Sequence, residues 1–218
     1  MKEAFSEYKK LFKDKKYKKS LQGVIPFALL AGIMNYFVYD YLKTMQGNYV
    51  GDLFLDYLPT LGLFWFRSFG IVILVVSIFV LIFYKPRYIP FGFKTAGLMY
   101  IIRPFFVTLT HLTAYPTKMF IPETYPLLGR IVIYQTNDLF FSGHVALPFL
   151  VSLIFWDNKK IRYSFIFIAV ICGIAALLAK THYSIDVFAA PFITYSIYKI
   201  AEKIFKKDFD YIKKKNKK

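Results

Sequence analysis

Hydrophobic residues along this chain fall into six long runs separated by short polar islands. The runs are Leu21–Tyr41, Leu61–Tyr84, Thr95–Tyr115, Phe141–Trp156, Ile161–Ala179 and Ile185–Ile204. Uniform apolar stretches of about 17 to 25 residues have the length an α-helix needs to cross the hydrocarbon core of a bilayer. They lack the alternation of a barrel strand, and only helices or closed barrels satisfy the backbone in lipid. The pattern predicts an all-α, polytopic integral membrane bundle of six transmembrane helices. The fourth run is short, and no period repeats along the chain.

Composition sharpens that expectation. Of 218 residues, 57% are hydrophobic and 19% charged, with a formal net charge of +16. Charged residues make up about a quarter of a soluble domain, so a soluble domain is excluded. A nucleic-acid binder would carry its basic residues interleaved along one reading face. Here Lys and Arg gather at the two ends and in the islands, which argues against nucleic acid as a partner.

Their distribution orients the bundle. Met1–Lys19 holds eight basic residues, Lys85–Lys94 three, Asn158–Arg162 three and Lys199–Lys218 nine, 23 of the 29 in all. The positive-inside rule then makes both termini cytoplasmic, with the loops around Gly47–Thr60 and Pro116–Phe140 facing outward. The expected organisation is a basic N-terminal segment over 1–20, a membrane domain over 21–204 and a basic tail over 205–218. No small-residue cleavage site follows the basic N-terminus, so the first run reads as a retained signal-anchor. The basic ends also meet anionic headgroups electrostatically. A lone cysteine, Cys172, leaves no intramolecular disulfide and no cysteine metal cluster.

Ionisable groups at membrane depth are costly and mark candidate sites. They are Arg67, Arg103, His111, His144, His182 and Asp186, with Asp138 just outside. His182 and Asp186 stand four residues apart where the fifth helix turns into the sixth. On one helix face the carboxylate accepts from one imidazole N–H and leaves the other nitrogen free to attack or to take a proton. Taken alone, such a pair serves equally to stabilise a helix start.

Upstream, Ser142-Gly143-His144 opens the fourth helix. Ser142 suits the N-cap, and Gly143 lets backbone N–H groups approach a ligand. A helix N-terminus is an anion site fit for phosphate, with His144 beside it as acid or base. A helix that begins inside a polar pocket also accounts for the short run. Arg103 either faces a cavity and binds a phosphate or carboxylate, or pairs internally with Asp138 or Asp186. Arg67 either snorkels to the interface or joins the cavity, and His111 reads as a histidine of bundle packing. Asp52 and Asp56 are placed to order the first outer loop over the site.

These motifs resemble the sphingomyelin-synthase-like branch of the lipid phosphatase/phosphotransferase superfamily, the type 2 phosphatidic acid phosphatases. That branch carries C-G-D-x3-S-G-H-T and, about forty residues on, H-Y-[ST]-x-D-V-x3-[FY]. Here Asp138, Ser142, Gly143 and His144 match the first, while Thr136, Asn137 and Val145 depart from it. His182-Tyr183-Ser184-Ile185-Asp186-Val187 matches the second until Pro191, with Phe192 next to it. Tyr100, Arg103 and Thr110 match an upstream Y-x2-R-x6-T element, without the double Arg that precedes it in the family. The broader phosphatase pattern is met less well: Ala96 stands where its Lys belongs, and Ala176 where an Arg precedes the second His.

The resemblance implies six helices and an outward-facing, metal-independent site with no cofactor. It implies that His182 attacks phosphorus to form a phosphohistidine, Asp186 orients it and His144 protonates the departing oxygen. Asp138, Ser142, Gly143, Tyr100, Arg103 and Thr110 would hold the substrate. The residues themselves supply the same set of parts: cradling donors, a cation, a nucleophile and an acid. The expected partners are a membrane phospholipid and a lipid-alcohol acceptor within the bilayer. Water as acceptor would make a plain lipid phosphatase. A non-catalytic lipid transporter or scaffold of the same fold is the reading from a different class.

Overall fold

The computed structural model describes residues 2–45, 47–63, 74–81, 83–117 and 139–213. Eight helices account for most of them: α1 Lys2–Leu11, α2 Lys15–Gln22, α3 Val24–Thr44, α4 Ile89–Thr110, α5 Gly143–Ile154, α6 Lys159–Leu178, α7 Ser184–Ile204 and α8 Lys206–Lys213. Residues Leu74–Leu81 are also helical, and a 3₁₀ turn over Pro86–Tyr88 leads into α4. The protein is all-α. Arg67, Asp138 and most of the first half of the second apolar run lie outside the described residues.

Two helical stretches are long and apolar enough to cross a membrane: Lys15–Thr44 and Lys159–Leu178, with mean hydropathy 1.6 and 2.3. A third is present if the bent pair Leu74–Leu81 and Pro86–Thr110 forms one span. Their surfaces fit that environment. Leu29, Phe37 and Phe167 are each more than 60% exposed, far beyond the scattered apolar exposure of a soluble monomer.

α4 starts earlier than the apolar pattern suggests. Pro90 near its N-terminus is suited to a first turn, where no donor is needed. The island Lys85–Lys94 is therefore largely helix, not loop, and Lys94 is buried in it. Its ammonium is 2.6 Å from the Asp208 carboxylate of α8, which also accepts from the Ser20 hydroxyl of α2. Arg87 pairs with Glu7 at 2.6 Å. Helices α1 and α2 of the basic N-terminal segment and α8 of the tail are thus tied to one another at the end of the bundle away from the histidines.

In the core, α5 packs on α6 and α7, and α4 packs on α3 and α7. Met99, Val145, Leu150, Ala176, Ala190 and Ile197 meet there. Small residues set the closest approaches: a Cβ at Gly97 of α4 would stand 2.9 Å from Phe27 of α3. At Gly173 of α6 it would stand 3.0 Å from Val187 of α7. Close contact through glycine is how helices associate where no hydrophobic drive separates them from lipid.

The loop Gly47–Leu63 lies across one end of this bundle. Asn48 N–H donates to the His111 carbonyl (2.9 Å) and Leu61 N–H to the Leu178 carbonyl (2.9 Å). Leu55, Tyr115, Leu139 and Tyr183 form a small apolar cluster beneath it.

Candidate active site

The site begins at two helix starts. α5 starts at Gly143 and α7 at Ser184, and the backbone joins them: Ser142 N–H donates to the Asp186 carbonyl at 3.0 Å. On α7, Asp186 is fully buried at the third helical position. Its Oδ2 accepts from the Tyr183 N–H (3.1 Å) and faces His182 Nδ1 (3.2 Å). A first-turn carboxylate reaching back to the N-cap N–H is half of a capping box.

The geometry corrects one expectation. His182 is not on the helix with Asp186; it precedes the N-cap Tyr183, whose backbone is extended at φ −69° and ψ 159°. The pair meets because the carboxylate folds back over the helix start, not because the two share a helix face. A carboxylate only accepts, so Nδ1 is the donor in this contact. Both groups are buried, with the His182 side chain 5% exposed and the Asp186 side chain 0%.

His144, in the first turn of α5, is half-buried. Its ring centroid is 6.0 Å from that of His182, with the planes inclined at 62°. Arg103 reaches the same place from α4. It is buried, its Nε donates to the Phe141 carbonyl at 2.8 Å, and a Cβ at Gly143 would lie 3.7 Å from that Nε. Pro104 follows Arg103 inside α4.

Ser142 occupies the N-cap position, its carbonyl accepting from Ala146 N–H at 2.9 Å, but its hydroxyl makes no cap hydrogen bond. Among the described residues, Ser142 Oγ and Asp186 Oδ1 are buried without a hydrogen-bond partner. Leaving such atoms unsatisfied costs about 1–3 kcal/mol each. The Ser142 hydroxyl therefore does not supply the expected cap.

The remaining candidates are placed unevenly. Thr110, at the end of α4, donates to Val107 O (3.2 Å) and Leu139 O (3.4 Å), so it braces the strand of chain leading into Ser142. Tyr100, one turn before Arg103, lines a lateral apolar groove. His111 is exposed at the end of α4, in the left-handed conformation (φ 35°), and its Nε2 is 2.6 Å from Tyr41 Oη of α3. Asp138 and Arg67 lie outside the described residues. No group of three or more His, Cys, Asp or Glu side chains gathers as a metal site would require among the described residues.

Residues 135–203 match the family model described as PAP2 superfamily C-terminal. The matched stretch contains the Ser142–His144 segment, α5, α6, His182 and Asp186, and it ends within α7. Arg103, Tyr100 and Thr110 fall outside it. No curated protein matches the chain.

Two further residues adjoin these helix starts: Asp52, outside the matched stretch, and Lys180, within it. Asp52 of the Gly47–Leu63 loop is buried. Its Oδ2 accepts from Ser184 N–H at 2.7 Å, while Oδ1 accepts from Phe54 and Leu55 N–H at 3.0 Å each. Burial alone pushes the Asp52 carboxyl up, yet the hydrogen bonds from Leu55, Ser184 and Phe54 hold it below the usual carboxylate range. Its carboxylate thereby covers the first turn of α7, where negative charge is favourable.

Lys180 stands two residues before His182 and is buried. It ends α6 in a Schellman turn, with Thr181 N–H on Ala176 O and Lys180 N–H on Leu177 O, both at 3.0 Å. Its φ of 49° is one that glycine normally supplies. The ammonium sits 5.0 Å from the Tyr115 ring centroid. Nothing in local pattern announces a buried lysine at that position.

Proposed function

We propose that the protein is an integral membrane lipid phosphotransferase or phosphatase that works through a phosphohistidine. The observation that carries the reading is the His182–Asp186 pair with the His144 ring 6.0 Å from that of His182. The match of residues 135–203 to the PAP2 superfamily C-terminal model supports lipid phosphate chemistry in general.

His182 Nε2 attacks the phosphorus of a phospholipid, and the bond from phosphorus to the lipid oxygen breaks. His144 gives its proton to that oxygen as the lipid alcohol departs. Asp186, hydrogen-bonded at Nδ1, stabilises the charge His182 acquires. Arg103, Ser142 Oγ and the backbone N–H groups opening α5 offset charge on the phosphoryl oxygens. In the second half, His144 takes a proton from the acceptor, the acceptor oxygen bonds to phosphorus, and the phosphorus–nitrogen bond breaks. Water as acceptor gives a phosphatase. A lipid hydroxyl gives a synthase of the sphingomyelin type, and access of the acceptor to the site decides between the two.

The basic islands support six spans with both termini cytoplasmic and the histidines at the outer face. On that reading residues 1–20 and 205–218 are cytoplasmic segments flanking a membrane domain over 21–204.

The test is to trap label on the protein from a phospholipid carrying radioactive phosphorus, comparing wild type with His182→Ala. Acid-labile labelling of wild type alone is expected. Equal labelling of both overturns the nucleophile, and labelling of neither favours a lipid carrier or scaffold. Adding a lipid alcohol then separates transfer from hydrolysis by the product formed.

A further inference from the structure

On the flank of α4, between α3, α5 and Leu74–Leu81, runs a groove of about 550 Å³. Its walls are apolar, and small residues make the room: Ala31 and Gly32 on one side, Gly92 and Ala96 on the other. A Cβ built at Gly32 meets nothing within 4 Å. One end stops at Tyr100, a turn short of Arg103. The other reaches Lys85, Tyr88 and Phe155, and the two rings stack there at 4.3 Å.

Those same three residues line a second cavity of about 900 Å³. Around it stand Lys85, Lys159, Lys160 and Lys213, with Asp157 as the opposing carboxylate. The groove therefore adjoins, at the end remote from the histidines, a cationic mouth that shares Lys85, Tyr88 and Phe155 with it. From Ile89 to Tyr100, α4 rises roughly 16 Å at 1.5 Å per residue. That is about half the ~30 Å hydrocarbon core, the depth of one leaflet.

We infer that groove and mouth together bind one phospholipid of net negative charge from the leaflet on the basic side. Its chain lies against Gly32 and Ala96, and its phosphate meets Lys85, Lys159, Lys160 and Lys213. Four ammonium groups facing one carboxylate select against a zwitterionic headgroup, whose own cation would be repelled. This lipid is separate from the reacting one, whose phosphorus must lie at the opposite end. The inference rests on the chain being membrane-embedded, as proposed above, but not on its being an enzyme.

The experiment uses the full chain in phosphatidylcholine nanodiscs containing a minor fraction of phosphatidylglycerol. Lipid retained through detergent exchange is counted by mass spectrometry. Wild type is expected to retain phosphatidylglycerol over phosphatidylcholine. Lys159→Gln/Lys160→Gln/Lys213→Gln should lose that retention roughly tenfold or more, the scale of three lysines at a lipid surface. Gly32→Leu, which fills the groove, should lose it as well, and Ala96→Leu is the second filling variant should Gly32→Leu misfold. A triple change of equal charge elsewhere, Lys16→Gln/Lys19→Gln/Lys206→Gln, should retain the lipid as wild type does. Glycerol 1-phosphate, the headgroup chemistry without chains, should not displace it.

Equal loss in both lysine triples overturns the site in favour of diffuse surface attraction. Displacement by glycerol 1-phosphate overturns the role of the groove. Retention that survives the mouth triple while Gly32→Leu raises KM for the reacting lipid assigns the groove to substrate tails instead. Because retention is counted without turnover, an inactive protein that keeps phosphatidylglycerol fails the enzymatic reading alone.

Discussion

Ser142 and Asp186 are joined main chain to main chain, the Ser142 N–H donating to the Asp186 carbonyl at 3.0 Å. That one bond makes the starts of α5 and α7 a single unit, so His144 and His182 hold their spacing without either side chain providing the tie. It also separates chemistry from architecture, because a change to the Asp186 side chain leaves the bond in place.

Asp186→Asn is therefore expected to fold and to lose chemistry. The amide keeps an oxygen for the Tyr183 N–H but cannot stabilise a charged His182, and kcat should fall by roughly 10²–10⁴-fold. Turnover of a phospholipid, measured beside thermal unfolding in one detergent, decides it. A fall in melting temperature with unchanged kcat in the folded fraction would return Asp186 to a purely structural role.

His144→Ala should fail at departure of the lipid alcohol. With a natural phospholipid the loss is expected at about 10²–10⁴-fold, the usual worth of a positioned acid. An aryl phosphate whose leaving group needs no proton should recover most of the labelling rate of His182. If natural and activated substrates suffer alike, His144 is not the acid.

How much of this was legible beforehand depends on the range of the signal. The apolar runs mark their helices because burial and lipid exposure act residue by residue along the chain. Ser142-Gly143-His144 and His182 to Asp186 were legible as local groups, though the means by which His182 meets Asp186 was not. The helix boundary at Ser184 decides that, and a pattern fixes a boundary only to within a few residues. Contacts distant in sequence left little trace: Asp52 with Ser184, Lys94 with Asp208, Arg103 with the Phe141 carbonyl. Each is set by how helices pack, which no local spacing encodes. Tyr100 shares the motif with Arg103 yet faces the groove, since three residues turn a helix by most of a revolution but not all of it.

Asp52→Asn should be less stable than wild type by about 1.5–3 kcal/mol at pH 7, the range for hydrogen bonds to a charged group. The sign of its pH dependence follows from a carboxyl held below its ordinary value in the folded state. Its stabilisation is fully present above the unfolded value near 3.9 and is lost as pH falls through the folded one. The gap between the two proteins should stay constant from about pH 7 to 5 and narrow below about pH 4, where a protonated Asp52 resembles Asn. A gap indifferent to pH would mean that Asp52 acts without its charge.

Gly97 and Gly32 should answer the same substitution oppositely. Gly97→Ala drives a methyl to 2.9 Å from Phe27 Cβ and 3.4 Å from its carbonyl carbon, and a backbone atom cannot step aside. Overpacking of this kind costs about 1–3 kcal/mol. Gly32→Ala meets open space and should gain up to about 1 kcal/mol from helix propensity. Thermal unfolding of both in one detergent tests the pair; equal shifts would mean that α3 does not approach α4 as closely as Gly97 indicates.

Lys180 sets two opposing terms against one another, which two substitutions separate. Its left-handed backbone costs about 1 kcal/mol relative to glycine, while its ammonium over the Tyr115 ring returns about 0.5–2 kcal/mol. Lys180→Gly removes both and should lie within about 1 kcal/mol of wild type, since losing the cation offsets relief of the backbone. Lys180→Ala removes the cation and keeps the backbone cost, so it should be less stable than the glycine variant by about 1 kcal/mol. The position immediately precedes Thr181-His182, so a looser turn should also reach the His182–Asp186 contact. Phosphoenzyme formation should accordingly fall further in Lys180→Ala than in Lys180→Gly. Equal stability of the Ala and Gly variants would show that the left-handed turn carries no cost here, and the lysine would then be explained by its charge alone.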